Sequence, residues 1–262
     1  MSAGATGGRE FVKRAAAPPG ALAAEAAGLA WLAAAGGAAV CRVREVREDA
    51  LVLDRVEEVP ATAAAAEAFG RDLAATHAAG ADRFGAPPPG VPGDAWIASL
   101  PLPMSPAPEP WGLFYATRRV QPYLRTARDR GAVDAAGAAL VERVCQRLSE
   151  GDEALCTGGE RPARLHGDLW SGNVLWSPGG VVLIDCAAHG GHPETDLAML
   201  ALFGLPHLDR VLAACTEAAG TPAGWRDRVP LHQLHPLLVH AALFGGGYGA
   251  QAVRAAERAL AL

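Results

Sequence analysis

The stretch LHGDLWSGNVLWSPGGVVLIDCAAHGGHPETDLAMLALFG, Leu165 to Gly204, decides how the rest of the chain is read. Two short apolar runs, Val174-Leu175-Trp176 and Val181 to Ile184, flank Ser177-Pro178-Gly179-Gly180. Turn-forming residues between two β-prone runs predict a hairpin. Its open ends then bring Asn173 and Asp185 close together. His166-Gly167-Asp168 precedes the hairpin, with Asp168 five positions before Asn173. Beyond it, Thr195 or Asp196 is expected to cap a helix over DLAMLALF that stops at Gly204.

Working outward, Arg9 to Arg14 alternates apolar and polar residues and reads as a strand, broken by Pro18-Pro19-Gly20. A helix is expected from Ala21 to Ala35, stopped by Gly36-Gly37. Glu25 lies three residues after Leu22 and four before Leu29, so it falls on the inward stripe of that helix. A buried carboxylate is costly unless paired, and Lys13 on the preceding strand is the obvious partner. Val40 to Val46 and Leu51 to Val56 read as two strands around a polar turn. Thr62 caps an expected helix to Ala79, with Phe69 and Leu73 on one face. Pro87 to Pro110 holds nine prolines and reads as a long loop or linker. Trp111 to Arg130 and Val133 to Glu150 carry helical periodicity. The remainder reads as helix broken at Pro230, Pro236 and Gly245 to Gly247.

Composition sets bounds. The 262 residues are half hydrophobic and 19% charged, ordinary for a globular protein. No run is long and apolar enough for a membrane span, and Met1 to Gly8 lacks a signal-peptide core, so the cytoplasm is expected. The five cysteines are scattered without metal-site spacing. A net charge of −5 without a basic block argues against nucleic acid as partner. The 23 basic residues include one lysine, Lys13, and 22 arginines. A lysine surviving such a bias is either a chance survivor or sits where the planar arginine fork does not fit.

These residues together suit phosphoryl transfer, which asks for positioning and charge neutralisation more than covalent chemistry. In kinases a catalytic Asp and a metal-binding Asn stand five apart on one loop, and a second metal-binding Asp follows. Asp168, Asn173 and Asp185 have that order. Carboxylate and amide oxygens suit Mg²⁺. Lys13 and Glu25 supply the upstream ion pair that holds the phosphates of ATP.

The loop His166-Gly-Asp-Leu-Trp-Ser-Gly-Asn173 resembles the HGDLWSGN signature of the fructosamine kinase (ketosamine-3-kinase) family, within the aminoglycoside phosphotransferase superfamily. LIDCAAHGGHPETDLAMLALFG and the tail LLVHAALFGGGYGAQA are similar to later blocks of that family, and the likeness begins near Gly7. It implies an α+β, two-lobed protein-kinase-like fold: a truncated β-rich small lobe over 1–58 and a helical lobe over 59–262. It implies ATP-dependent phosphorylation of a sugar 3-hydroxyl on ketosamines, small or protein-bound. The unstable product would release its amine, making the reaction a deglycation repair step. By resemblance, Asp168 is the base or anchor, Asn173 and Asp185 hold Mg²⁺, and Lys13, oriented by Glu25, contacts phosphates. The hinge at Asp54, Arg55 and Val56 takes adenine through its backbone, while Trp170, His192 and His240 line the sugar pocket. A kinase of another small alcohol or aminoglycoside, or a non-catalytic nucleotide-binding relative, remains open.

The sequence departs from that family in three places. A glycine-rich phosphate loop is expected upstream of FVKR, yet only 12 residues precede Lys13; either the start is misassigned or that cover is missing. Gly4, Gly7 and Gly8 read instead as a turn between the second and third strands. Cys186 stands where the family usually has proline, and packing is its expected role. Val239 and Ala242 flank His240 where asparagine is usual. His192 and Glu194 suit either the sugar pocket or a structural role, Asp196 is read as a support of the catalytic loop, and His232, His235 and His240 lack a known metal spacing.

Overall fold

The computed structural model describes residues 9–14, 18–156 and 161–262; Gly4, Gly7 and Gly8 lie outside them. The chain begins with β1 (Glu10–Arg14), α1 (Ala21–Ala33), β2 (Ala39–Val40), β3 (Val43–Val46) and β4 (Ala50–Asp54). Strands β1, β4 and β3 form an antiparallel sheet in the order β1-β4-β3, with Lys13 opposite Leu51. Leu22, Leu29 and Leu32 on the buried face of α1 pack against Leu51 and Leu53 of β4. Each such side chain contributes about 2 kcal/mol of burial.

The run expected as one strand, Val40 to Val46, is split between two sheets. Strand β2 leaves the first sheet and pairs parallel with a strand of the later hairpin. What divides the run is competition for β2's backbone: the Cys41 N–H goes to Leu183 O at 2.8 Å, and Ala38 N–H to Thr76 Oγ1 at 2.8 Å.

Next come α2 (Ala63–Ala78), β5 (Ala95–Ile97), β6 (Leu100–Leu102), α3 (Trp111–Phe114), α4 (Gln121–Asp129) and α5 (Ala135–Ser149). Thr62 caps α2, its hydroxyl accepting the Ala65 N–H. The proline-rich segment is not wholly loop: β5 and β6 pair antiparallel within it. Between α3 and α4 the helix widens into a π-helical turn, Tyr115–Val120. Pro122 has no N–H to offer Arg118 O, and that carbonyl takes Arg119 Nη1 at 3.1 Å instead.

The chain continues with β7 (Ala163–Leu165), β8 (Val174–Ser177), β9 (Gly180–Leu183), β10 (His189–Gly191), α6 (Pro193–Phe203), α7 (Leu208–Ala219), α8 (Val229–Phe244) and α9 (Tyr248–Leu260). The expected hairpin forms as β8 and β9, with Val174 opposite Leu183. Its apolar side chains share a core with Phe69 and Leu73 of α2, Leu197 and Leu200 of α6 and Val211 of α7. A larger core joins α3, α4, α5, α8 and α9. Among the described residues no helix is long and apolar enough to cross a membrane.

Two expected helix boundaries are corrected. Helix α6 starts earlier than expected: His192 is its cap, its Nδ1 accepting the Glu194 N–H at 3.2 Å, and Thr195 and Asp196 lie within the helix. Pro193 at the first helical position explains the earlier start, since its missing N–H costs nothing there. Pro236 does not break α8. The carbonyl its missing N–H would have met, His232 O, accepts the Tyr115 hydroxyl at 2.9 Å, and that oxygen lies 3.0 Å from Leu231 O and receives the His235 N–H at 3.3 Å. One buried phenol therefore bridges the gap.

Candidate active site

Strand β7 runs directly into His166-Gly167-Asp168, and β10 pairs beside it, so the loop leaves a short two-stranded platform. Gly167 has φ +82°, and a Cβ there would meet Ala187 O at 2.1 Å; only glycine fits. Asp196 gathers the loop's backbone. Its carboxylate accepts His166 N–H at 2.9 Å and Gly167 N–H at 3.0 Å. His166 Nε2 donates to Ile184 O at 2.9 Å, and its Nδ1 accepts the Asp168 N–H. Burial pushes this imidazole's pKa down, which suits the neutral form that such bonding requires.

His77 completes the support, its Nε2 lying 3.0 Å from Asp196 Oδ2. Burial opposes its charge, but the hydrogen bond and charge of Asp196 outweigh it and hold the imidazole up at about 9. Because that value lies above the ordinary 6.5, the pair contributes fully below about 6.5 and is lost as pH rises through about 9. Asp196 is held below its ordinary value despite burial, chiefly by His77, so its contribution fades only in acid. Urea unfolding of the wild type and His77→Gln should therefore differ by about 3 kcal/mol at pH 6. The gap should close above pH 9; a constant gap would mean that His77 acts through packing alone.

The hairpin delivers the other groups. Asn173 Nδ2 donates to Asp168 O at 2.8 Å, to Asp168 Oδ2 at 3.2 Å and to Asp185 O at 3.3 Å. Among the described residues its side-chain oxygen, an acceptor, is not engaged by a hydrogen bond. Asp185 has φ +54°, a region non-glycine residues seldom enter, and such conformations cluster at functional sites. In it, Asp185 Oδ1 lies 3.0 Å from Lys13 Nζ, which also meets Glu25 Oε2 at 2.7 Å. Burial works against the ammonium, but Glu25 and Asp185 raise its pKa overall. Burial pushes the Asp168 carboxyl up to about 6; Asp185 and Asp196 add to that, against Asn173 and Lys13. Asp168, Asn173, Asp185, Lys13 and Glu25 thus form one connected cluster. Cys186, next in the chain, is buried against α1: a Cβ on Gly28 would lie 2.8 Å from its Sγ.

A narrow pocket opens beside Asp168, lined among others by Ile97, Met199, His235, Val239 and His240. His240 belongs to it, with Nδ1 donating to Pro236 O at 2.8 Å. Trp170 is 39% exposed and stacks edge-on against Phe203, which in turn packs on His240. His192 lies elsewhere: it is buried between Trp111 and His232, at ring distances of 5.0 and 4.8 Å, and caps α6. His192, Glu194 and His232 stand close enough to suggest a metal site. However, Arg228 already pairs with both Glu194 oxygens, and His232 Nδ1 bonds Thr195 Oγ1 at 3.0 Å. A cation would have to compete with that guanidinium.

Asp54, Arg55 and Val56 line an open groove with Arg9 and Arg44. The Asp54 and Arg55 N–H groups are committed to Arg42 O and Arg9 O, both at 2.9 Å, and the Asp54 carboxylate pairs with Arg44. A base docking there cannot use those two N–H donors. Sequence reasoning missed His77. The signal for His77 was present: it continues the Phe69–Leu73 stripe by one more step of four. Arg119 is 1% exposed without a carboxylate partner among the described residues, held by Pro103 O at 2.6 Å and stacked on Phe114; nothing local marks it against Arg118, which pairs with Glu109.

This geometry agrees with the chain's similarities. A family model described as fructosamine kinase matches residues 4–262. A probable ketoamine kinase of Thermus thermophilus is 36% identical over 232 residues, 88% of this chain and 79% of that one. Another, from Klebsiella aerogenes, is 36% identical over 150 residues, 57% of this chain but only half the length of that relative. A crystal structure from Thermobifida fusca, provisionally named a fructosamine-3-kinase, is 49% identical and superposes with a TM-score of 0.88, covering 97% of this chain and 86% of that one. A choline kinase of Streptococcus pneumoniae, 14% identical, shares the fold at a TM-score of 0.60 over 99% of this chain and 89% of its own. With its α+β kinase-like fold and a match over nearly its whole length, the chain belongs to the fructosamine kinase family.

Proposed function

We infer that this chain is an ATP-dependent phosphotransferase that moves the γ-phosphate to a sugar hydroxyl of a ketosamine, small or carried on a protein lysine, as a step of deglycation. The observation that carries this is the joining of Asp168, Asn173, Asp185 and Lys13 in one cluster, of which Asp168 also lines a pocket. Asp168, within that pocket wall, accepts the proton of the attacking hydroxyl or anchors it. Lys13, kept protonated and aimed by Glu25, meets the phosphates. The 54–56 segment takes the base, and Trp170 and His240 flank the sugar.

The residues also fit a divalent ion. The Asn173 amide oxygen and the Asp185 carboxylate are hard donors, and three carboxylates, Asp168, Asp185 and Asp196, influence one another here with Lys13 as the nearby cation. We assign that place to Mg²⁺, held by Asn173 and Asp185. Such an ion, when bound, neutralises charge on the transferring phosphate oxygens.

The test is ADP release with Mg-ATP and a panel of acceptors: fructosyl-lysine, choline and an aminoglycoside. Fructosyl-lysine should give a kcat/KM at least about tenfold above the others, the discrimination one or two lost polar contacts supply. Transfer to choline or the aminoglycoside but not to fructosyl-lysine would replace ketosamine as the acceptor. Nucleotide binding without transfer to any acceptor would leave a binding protein.

A further inference from the structure

The pocket beside Asp168 has mostly apolar walls, Ile97, Met199, Pro236 and Val239 among them, with His235 among the polar side chains that line it. His235 is 2% exposed and lines this pocket. Its backbone N–H goes to the Tyr115 hydroxyl at 3.3 Å. Its Nδ1 lies 3.0 Å from Arg119 O, a carbonyl that can only accept, so Nδ1 carries the proton. The tautomer is thereby decided, and Nε2 is a lone-pair acceptor. That atom is buried and has no hydrogen-bond partner among the described residues.

A buried acceptor left unmet costs about 1–3 kcal/mol, and folded proteins keep few of them. Protonation does not resolve it. Burial, together with the buried guanidinium of Arg119 and the neighbouring rings of His189 and His240, holds His235 well below its ordinary pKa. What would satisfy Nε2 is a neutral donor. An anion would meet the lone pair head-on, and a cation would be repelled by Arg119. A hydroxyl group fits both conditions.

We propose that His235 Nε2 accepts a hydrogen bond from a second hydroxyl of the acceptor sugar, the one next to Asp168 being the hydroxyl phosphorylated, and so makes this chain selective for polyhydroxylated acceptors. The proposal rests on the kinase reading above and deepens it. The π-helical turn and Tyr115 are its scaffold: the turn presents Arg119 O, and Tyr115 fastens the His235 backbone where Pro236 opens α8. His235 is a specificity residue that touches substrate without taking part in the proton transfer.

The experiment compares kcat/KM of the full chain for its acceptor and for a set of monodeoxy analogues of that acceptor. The wild type should discriminate against one analogue, besides the one lacking the phosphorylated hydroxyl, by about 10–100-fold. His235→Asn places an amide N–H where Nδ1 stood and deletes Nε2. It should lose about the same factor on the full acceptor and no longer distinguish that pair. His235→Phe, which deletes both nitrogens, should erase the same discrimination, and urea midpoints of both variants separate this from misfolding. Discrimination that persists in both variants overturns the proposal, as does a wild type indifferent to every such analogue. The comparison runs on whichever alcohol the wild type phosphorylates, so failure of the ketosamine reading changes the acceptor and leaves the His235 test intact.

Discussion

Asp168→Asn should lower kcat for phosphoryl transfer by about 10³-fold while leaving the KM for ATP within a fewfold of wild type. Asparagine keeps the shape of the side chain, and its amide oxygen can still receive Asn173 Nδ2. It cannot take a proton from the attacking hydroxyl. The same substitution should leave the unfolding midpoint unchanged or raise it. Burial pushes the Asp168 carboxyl up to about 6, which means the fold penalises its ionised form, and the variant removes that charge. Loss of activity with retained or improved stability is the mark of a group kept for chemistry at a cost in stability. Stopped-flow or steady-state ADP release and a thermal melt measure the two halves. A variant with wild-type kcat would take Asp168 out of the proton-transfer step.

Lys13→Arg should reduce kcat/KM for ATP by about 10²-fold, although charge is conserved. Lys13 Nζ is a single point between Glu25 Oε2 at 2.7 Å and Asp185 Oδ1 at 3.0 Å. A guanidinium is planar and wider, so it cannot bridge both oxygens from β1 without displacing Asp185, whose left-handed backbone leaves little room for adjustment. In a chain with 22 arginines and one lysine, this substitution asks whether the lysine is a chance survivor. Activity of the arginine variant at the wild-type level would show that it is. A loss carried mainly by KM for ATP would place its role in holding the ground state, and a loss in kcat in the transition state.

Much of this site was legible in the sequence because its geometry is local. The hairpin follows from four turn residues between two apolar runs, and it joins Asn173 to Asp185 whatever else the chain does. The Lys13–Glu25 pair was readable from a carboxylate on an apolar helix stripe, since a buried charge needs a partner. The Asp196 support was readable from kinase-like order. Of the two readings left open for His192, pocket or structural, it takes the capping one: Pro193 draws the helix start onto it and Trp111 covers it. Other expectations failed for identifiable reasons. Pro236 was expected to break α8, but a tyrosine more than a hundred residues away fills the gap. The strand expected over Val40 to Val46 was divided because its first residue, Val40, pairs with β9 instead.

The sequence by itself determined the order of the chemical groups, the hairpin that presents two of them, and the need of Glu25 for a cation. These depend on turn sterics, period and charge within a few residues or between neighbouring elements. Only the tertiary structure decided that His77 props Asp196 across 119 positions, that Arg119 is buried on Phe114 while Arg118 faces a carboxylate, and that His235, which lines one pocket with Asp168, keeps one nitrogen without a partner among the described residues. Hydrogen-bond satisfaction of a buried group depends on which elements close over it, and no local pattern carries that information.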